Sequence, residues 1–178
     1  MKDKLVKDSE TIMTELVMPN DTNPMGNLMG GNLMKWMDIA GSICASNHSE
    51  AQTVTVAVDN ITFQKPIHLG DVVTIKAMVS RAFTTSVEIY IEVYATDVKG
   101  FNQRKCNHAY FSFVALNSET KKPTPVPKLI PLSDEEIKRC ESAIRRKEIR
   151  LILAGKMQAK EATEVIEYFT NIKSGDLK

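Results

Sequence analysis

Asn23 to Asn47 reads NPMGNLMGGNLMKWMDIAGSICASN, and the rest of the chain is arranged around this stretch. It opens on Asn23-Pro24, passes Gly26, Gly30 and Gly31, and then runs without proline through Leu33, Met34, Trp36, Met37, Ile39, Ala40, Gly41, Ile43 and Cys44. The run has the period of a helix, yet nearly every face of it is apolar. Only Asn32, Lys35 and Ser42 interrupt it, together with a single acid, Asp38. A helix that is apolar all round is ordinarily buried all round. An acid is almost never fully buried unless it is paired or functional. That contradiction makes Asp38 the first candidate for chemistry.

Upstream of the helix, Thr11 to Met18 is β-branched and apolar and stops at Pro19, which predicts a short strand. Residues 1–10 are charged and are expected to be a disordered N-terminus. Downstream, Thr53 to Phe63 alternates, with Val54, Val56 and Val58 on one face. Val72 to Phe83 and Val87 to Asp97 follow as further strands. The second of these sets Glu88, Tyr90, Glu92 and Tyr94 opposite its apolar side, so that this side is expected to be wet or at an interface. Asn107 to Leu116 is apolar on both faces, which predicts a central strand. Short links between these four strands imply antiparallel pairing. One face of the resulting sheet needs a cover, and only the helix from Gly31 can supply it. The expected fold class is therefore α+β in the hot-dog arrangement, a curled antiparallel sheet wrapped around a long central helix, occupying residues 11–117.

After Asn117 the composition shifts. Residues 118–132 carry Pro123, Pro125, Pro127 and Pro131 and read as an extended linker. Residues 133–178 read as a C-terminal helical extension that packs on a neighbour. Ser133 caps its first helix with Glu136 reaching back, Gly155 ends that helix, and a second is expected from about Gln158 to Asn171.

Composition excludes several function classes. A net charge of +1 offers no electrostatic footprint for nucleic acid or a membrane surface. No stretch approaches the roughly 20 apolar residues that cross a bilayer, and MKDKLVKDSE lacks the apolar core of a signal peptide. Cys44, Cys106 and Cys140 are odd in number and far apart, as expected of reduced thiols in a cytoplasmic protein. His48, His68 and His108 have no second ligand at metal spacing, so no metal site is expected. A hydrolase nucleophile of the G-x-S-x-G kind is also missing.

The glycines before the helix do not make a phosphate loop, because Gly31 is followed by Asn32-Leu33 rather than Lys and Ser/Thr. A tight turn accounts for Gly26. The Gly30-Gly31 pair weakens a helix start by about 1 kcal/mol per residue relative to alanine, and what it permits is close approach to free N–H groups. Such groups can polarise a carbonyl and hold an oxyanion. Asp38, two turns in, is either a buried acid with a partner or a general base whose pKa an apolar setting raises. Asn23 is either an ordinary turn residue before proline or the polar group that closes the site from the loop side.

The runs NPMGNLMGGNLMKWMD and TVAVDNITFQKPIHLGD closely resemble the acyl-coenzyme A hydrolases of the hot-dog superfamily, in the branch of the brain-type cytosolic enzyme and its bacterial single-domain relatives. The resemblance covers about residues 10–130 and departs from many relatives at Met29, where they carry His. It implies thioester hydrolysis, with catalytic Asn23 and Asp38 supplied by opposite subunits and the Gly31 N–H on the thioester carbonyl. It further implies a homo-oligomer, a hexamer built from dimers, acting in fatty acid metabolism without a cofactor, coenzyme A being part of the substrate. For the coenzyme A portion the candidates are Gly30, Arg81, Thr84, Thr85, Ser86, Arg104, Lys121 and Lys122. The rival reading is a non-catalytic acyl-CoA-binding module. A dehydratase needs a His with its acid, and no His precedes Asn47 on the helix.

Overall fold

The strand-forming stretches of the sequence assemble as one antiparallel sheet in the computed structural model, which describes residues 1–174. The chain divides into two compact units, Met1–Pro131 and the residues from Leu132 onward. In the first, β1 (Lys4–Leu5) and β2 (Thr11–Leu16) precede the long helix α1 (Gly30–Ser49). Four long strands follow: β3 (Gln52–Phe63), β4 (Val72–Ala82), β5 (Ser86–Thr96) and β6 (Arg104–Leu116). The sheet order is β2-β4-β5-β6-β3, every neighbour antiparallel. The alternating residues Val73, Ile75, Ile89, Ile91, Phe111 and Phe113 point inward and meet Met37, Ala40 and Cys44 of α1. Gly41 sets the depth of that contact: a Cβ there would lie 3.0 Å from Phe113 Cζ and 3.1 Å from Ile91 Cδ1. This is the hot-dog arrangement expected from the pattern.

Several expectations change. The helix is not wrapped on all sides, for Met34, Ile39 and Ile43 are 38, 40 and 45 % exposed within the single chain. Val54, Val56 and Val58 are likewise exposed on β3, an edge strand that pairs only with β6. The N-terminal residues do not fray, since β1 pairs in parallel with β7 (Leu129–Ile130). The proline-rich segment is a strap rather than a free linker: Thr124 N–H donates to Ala115 O and Val126 N–H to Thr84 O, and Val126 is buried. Prolines that cannot join a ladder still leave the intervening N–H groups free to do so. Finally, the face of β5 expected to be wet or at an interface carries a side-chain network within the chain, with Glu88 and Tyr90 buried, Ser80 Oγ donating to Glu88, and Glu92 receiving Tyr90, Tyr94 and Lys105.

The second unit is a helix pair, α2 (Asp134–Leu153) and α3 (Thr163–Ser174). Ser133 and Glu136 form the expected reciprocal cap. The second helix starts later than Gln158 because a short 3-10 turn, Ala159–Glu161, comes first. Its true start is set from α2: the buried Glu148 carboxylate accepts the N–H groups of Val165 and Glu164, where a helix needs acceptors. The Arg145 guanidinium lies 4.4 Å over the Tyr168 ring and closes the pair.

Candidate active site

The N-terminus of α1 is built without a side-chain cap. Met29 is the N-cap residue, and the first helical bond is Leu33 N–H to Met29 O at 3.1 Å. Among the described residues no acceptor meets the N–H groups of Gly30, Gly31 and Asn32. Three aligned donors at the positive end of a 20-residue helix make a site for a partly negative oxygen. The two glycines divide the work. A Cβ on Gly30 would lie 3.0 Å from Phe63 Cζ, so Gly30 makes room for that ring, whereas Gly31 faces open space. The reading of Gly30 as a substrate contact thus gains a packing explanation, and Gly31 retains the open approach its role needs.

Asp38 is half-buried rather than sealed in the core. Thr55 Oγ1, across on β3, donates to Asp38 Oδ1 at 2.6 Å. The hydroxyl fixes one carboxylate oxygen and leaves Oδ2 without a protein partner among the described residues. The sequence hid Thr55, because in TVTVAVD its hydroxyl looks like one more solvent-facing position of an alternating strand. The available clue was that Thr55 interrupts a valine-rich strand predicted to lie against the helix.

Asn23 Oδ1 accepts the N–H groups of Met25 and Asn27 at 3.0 and 3.1 Å. The turn reading is therefore right about its oxygen, while its amide N–H₂ meets no acceptor among the described residues. Seven residues separate Gly31 from Asp38, and at 1.5 Å per residue they stand about 10 Å apart along the helix. A base must reach the reacting carbonyl directly or through one water. One chain therefore cannot place its own Asp38 on an ester held at its own Gly31.

The candidates for coenzyme A fall at two ends of the sheet. Arg104 is near the start of α1 but ion-paired with Asp71. Thr84, Thr85 and Ser86 form the β4–β5 turn, whose carbonyls bind Val126, Ala115 and Phe83 N–H. Arg81 stacks on Phe83. Lys121 Nζ donates to Gln52 at the start of β3, and the Lys122 carbonyl accepts the Asn117 N–H, closing the turn after β6. Seven positions of β6 separate Asn107, opposite Phe63, from Val114, opposite Ser86, or roughly 25 Å. Gly31 and the 84–86 turn thus lie at opposite poles. Of the buried thiols, burial pushes Cys44 up to about 12 and raises Cys106 as well, which removes both as nucleophiles. No cluster of His, Cys, Asp or Glu among the described residues could hold a metal ion.

Known proteins share this frame. The family model described as the thioesterase superfamily matches residues 25–100. The Bacillus subtilis protein named as an uncharacterized acyl-CoA thioester hydrolase, YkhA, is 34 % identical over 143 residues, 80 % of this chain and 83 % of its own. An acyl-CoA hydrolase of Staphylococcus aureus, solved with butyryl coenzyme A and coenzyme A, superposes with a TM-score of 0.79 at 34 % identity, covering 94 % of this chain and 98 % of that one. That enzyme has also been solved as alanine variants of an asparagine, an aspartate and a threonine. Their mutual spacings, 15 and 17 positions, equal those of Asn23, Asp38 and Thr55. A hexameric acyl-CoA thioesterase superposes at 0.82 with 30 % identity, covering 86 and 98 % of the two chains. By the family model, the Bacillus subtilis relative and the Staphylococcus aureus structure together, this chain belongs to the thioesterase superfamily, among its hot-dog acyl-CoA hydrolases.

Proposed function

We propose that this protein hydrolyses acyl-CoA thioesters to a carboxylic acid and coenzyme A, in sites shared between two protomers. The observation that carries the reading is the Thr55–Asp38 bond on a half-exposed helix face that also holds Met34, Ile39 and Ile43. This face and the unpaired edge of β3, with its exposed valines, offer a second copy an apolar surface and a free ladder. Pairing there sets the Asp38 of one protomer against the Asn23 and Gly31 of the other, which the spacing within one chain forbids. The matched asparagine, aspartate and threonine altered in the Staphylococcus aureus enzyme support the same trio, and the hexameric relative supports a trimer of such dimers.

In this reading the thioester oxygen sits on the Gly31 N–H, and the helix dipole adds to that bond. The free Oδ2 of Asp38 takes a proton from water as the water attacks the carbonyl carbon. Collapse of the tetrahedral intermediate breaks the C–S bond, and the proton held by Asp38 returns to the leaving sulfur. The Asn23 amide donates to the water or the carbonyl and so orients it. Direct attack by Oδ2 with an anhydride intermediate uses the same residues, and single turnover in ¹⁸O-water labels Asp38 only in that second route, where water opens the anhydride at the aspartyl carbon. Arg81, the 84–86 turn, Lys121 and Lys122 can then meet coenzyme A only from a neighbouring protomer. Three cysteines that form no disulfide among the described residues suit a reducing cytoplasm, and no helix among the described residues is long and apolar enough to cross a membrane.

The test is thiol release from a panel of acyl-CoA esters. Asp38→Ala should lower kcat about 100-fold or more, the scale of losing a base or an oxyanion donor. Normal turnover in that variant sinks the mechanism. Tight binding of the esters with no release by the natural chain would point instead to a non-catalytic binding module.

A further inference from the structure

The inward face of β6 runs Asn107, Ala109, Phe111, Phe113 and Ala115, and all five are buried. Four are apolar, as the core behind α1 requires. The first carries an amide. Asn107 is 1 % exposed, and neither its Oδ1 nor its Nδ2 has a hydrogen-bond partner among the described residues. The ladder holds it on both sides, opposite Phe63 of β3 and Val93 of β5, so its backbone is fixed. Buried amides without partners are rare and ask for an explanation. This one has a neighbour that supplies it: Asn107 lines a cavity of about 490 Å³ whose other walls include Leu28, Gly30, Leu33, Phe63 and Ile67. The cavity therefore adjoins the open N-terminus of α1, is mainly apolar, and has one buried polar group without a partner.

We propose that this cavity is an acyl subsite in which Asn107 selects acyl chains bearing an oxygen function, a hydroxyl or keto group. The inference rests on the thioesterase reading and names its substrate class. A saturated chain would fill the apolar walls and leave both amide atoms unpaired. A keto oxygen accepts from Nδ2, and a hydroxyl can either accept from Nδ2 or donate to Oδ1. Sites that hydrogen-bond a substrate group reject the analogue lacking it far more strongly than apolar pockets sort chains by length.

Matched CoA esters test this: saturated chains against the same chains with a hydroxyl or keto group on the third or the last carbon, and a third set ending in carboxylate. The expected result is at least about a tenfold advantage in kcat/KM for an oxygen-bearing ester over its saturated match. Asn107→Val should erase that advantage and leave the saturated esters equal or faster. Because the amide has no protein partner, this variant should melt at or above the natural temperature; if it does not fold, the ratio in the natural protein decides alone. Equal rates for matched pairs, a preference that survives Asn107→Val, or a preference for the carboxylate set each overturn the proposal. Thioether analogues, which cannot be hydrolysed, give the same comparison by calorimetry. No thiol release from any ester would refute the thioesterase reading, while the ratio of thioether affinities would still decide the subsite.

Discussion

The two ends of α1 are made of the same helix and treated in opposite ways. At its C-terminus the cap and the buried imidazole are tied, and the Ser49 hydroxyl alone among the buried side-chain groups there has no partner among the described residues. Glu50 adopts the left-handed cap conformation and returns its N–H to Ser46 O, and Lys4 Nζ reaches both Asn47 O and the Glu50 carboxylate. His48, fully buried, bonds Ser9 Oγ and the Pro127 carbonyl, joining the N-terminus and the proline strap to the helix. At its N-terminus three backbone N–H groups and the adjoining Asn107 amide have no such partners among the described residues, and two turns along the second oxygen of Asp38 has none either. A helix end left unsatisfied costs stability, and natural chains keep that cost where a ligand completes the bonds. One pole holds the fold together; the other presents unpaired donors, and it is there that we propose the thioester binds.

The largest effect expected from this contrast breaks the open pole in two ways at once. Asn23→Ala and Asp38→Ala should each lower turnover about 100-fold or more, yet co-expressed they should recover part of it. If protomers pair at random, half the dimers are mixed and each has one intact site of two, giving about a quarter of the natural activity for an isologous pair. Recovery requires sites shared between subunits. If the mixture stays as inactive as its components, each chain holds its own site.

Next in size is damage to the tied pole. His48→Ala removes a buried ring and strands Ser9 and the Pro127 carbonyl, which should cost about 2–4 kcal/mol. Turnover per folded molecule should be unchanged, as judged by activity below the melting transition. A loss of kcat in proportion to Asp38→Ala would show that the poles are not separable.

How far this was legible in the sequence follows the same division. The helix, the strands and Asp38 announce themselves by local period and by one charge out of place. Asn23 and Gly31 needed the resemblance as well, because turns and glycines have bland explanations. What stayed hidden depends on partners distant in the chain. Residues 1–10 look frayed because nothing local shows that Lys4 and Leu5 will meet Leu129 and Ile130. Residues 118–132 look like a linker because proline spacing describes an extended chain without saying whether a sheet receives it. Alternation in Val54, Val56 and Val58 gives the period of a strand, while which side faces solvent depends on the edge position of β3. Thr55 and Asn107 are single polar residues in alternating strands, and only the three-dimensional neighbours, a carboxylate and a cavity, distinguish them from ordinary ones.

A smaller change should move the two properties in opposite directions at the open pole. Gly31→Ala adds a Cβ with nothing within 4 Å, so the helix start should gain about 1 kcal/mol. In the proposed site the same methyl stands in the path of the thioester, and kcat/KM should fall about tenfold, less than the roughly 100-fold or more of losing an oxyanion donor because the N–H itself remains. Gly30→Ala, by contrast, should lose stability through the Phe63 ring. A Gly31 variant that is both stabler and fully active would remove Gly31 from the site.

The smallest effect is a slope with pH, and it belongs to the tied pole. Burial lowers the His48 pKa below its ordinary value near 6.5, the Pro127 carbonyl partly opposing this and Lys4 adding to it. A carbonyl can only accept, so Nε2 donates to Pro127 and the neutral ring takes the Ser9 hydroxyl on Nδ1. The folded state thus binds this proton less readily than the unfolded chain. By linkage, stability is full above about pH 6.5 and falls as the pH drops below it, until the folded ring itself protonates. Melting temperatures should be flat from about pH 8 to 7 and decline below about 6.5, before the carboxylates titrate. His48→Gln keeps a donor and an acceptor without the titration, so it should lie lower at pH 8 but lose this part of the slope. An unchanged slope in that variant would mean that the proton is taken up elsewhere, and that the tied pole is held by its packing alone.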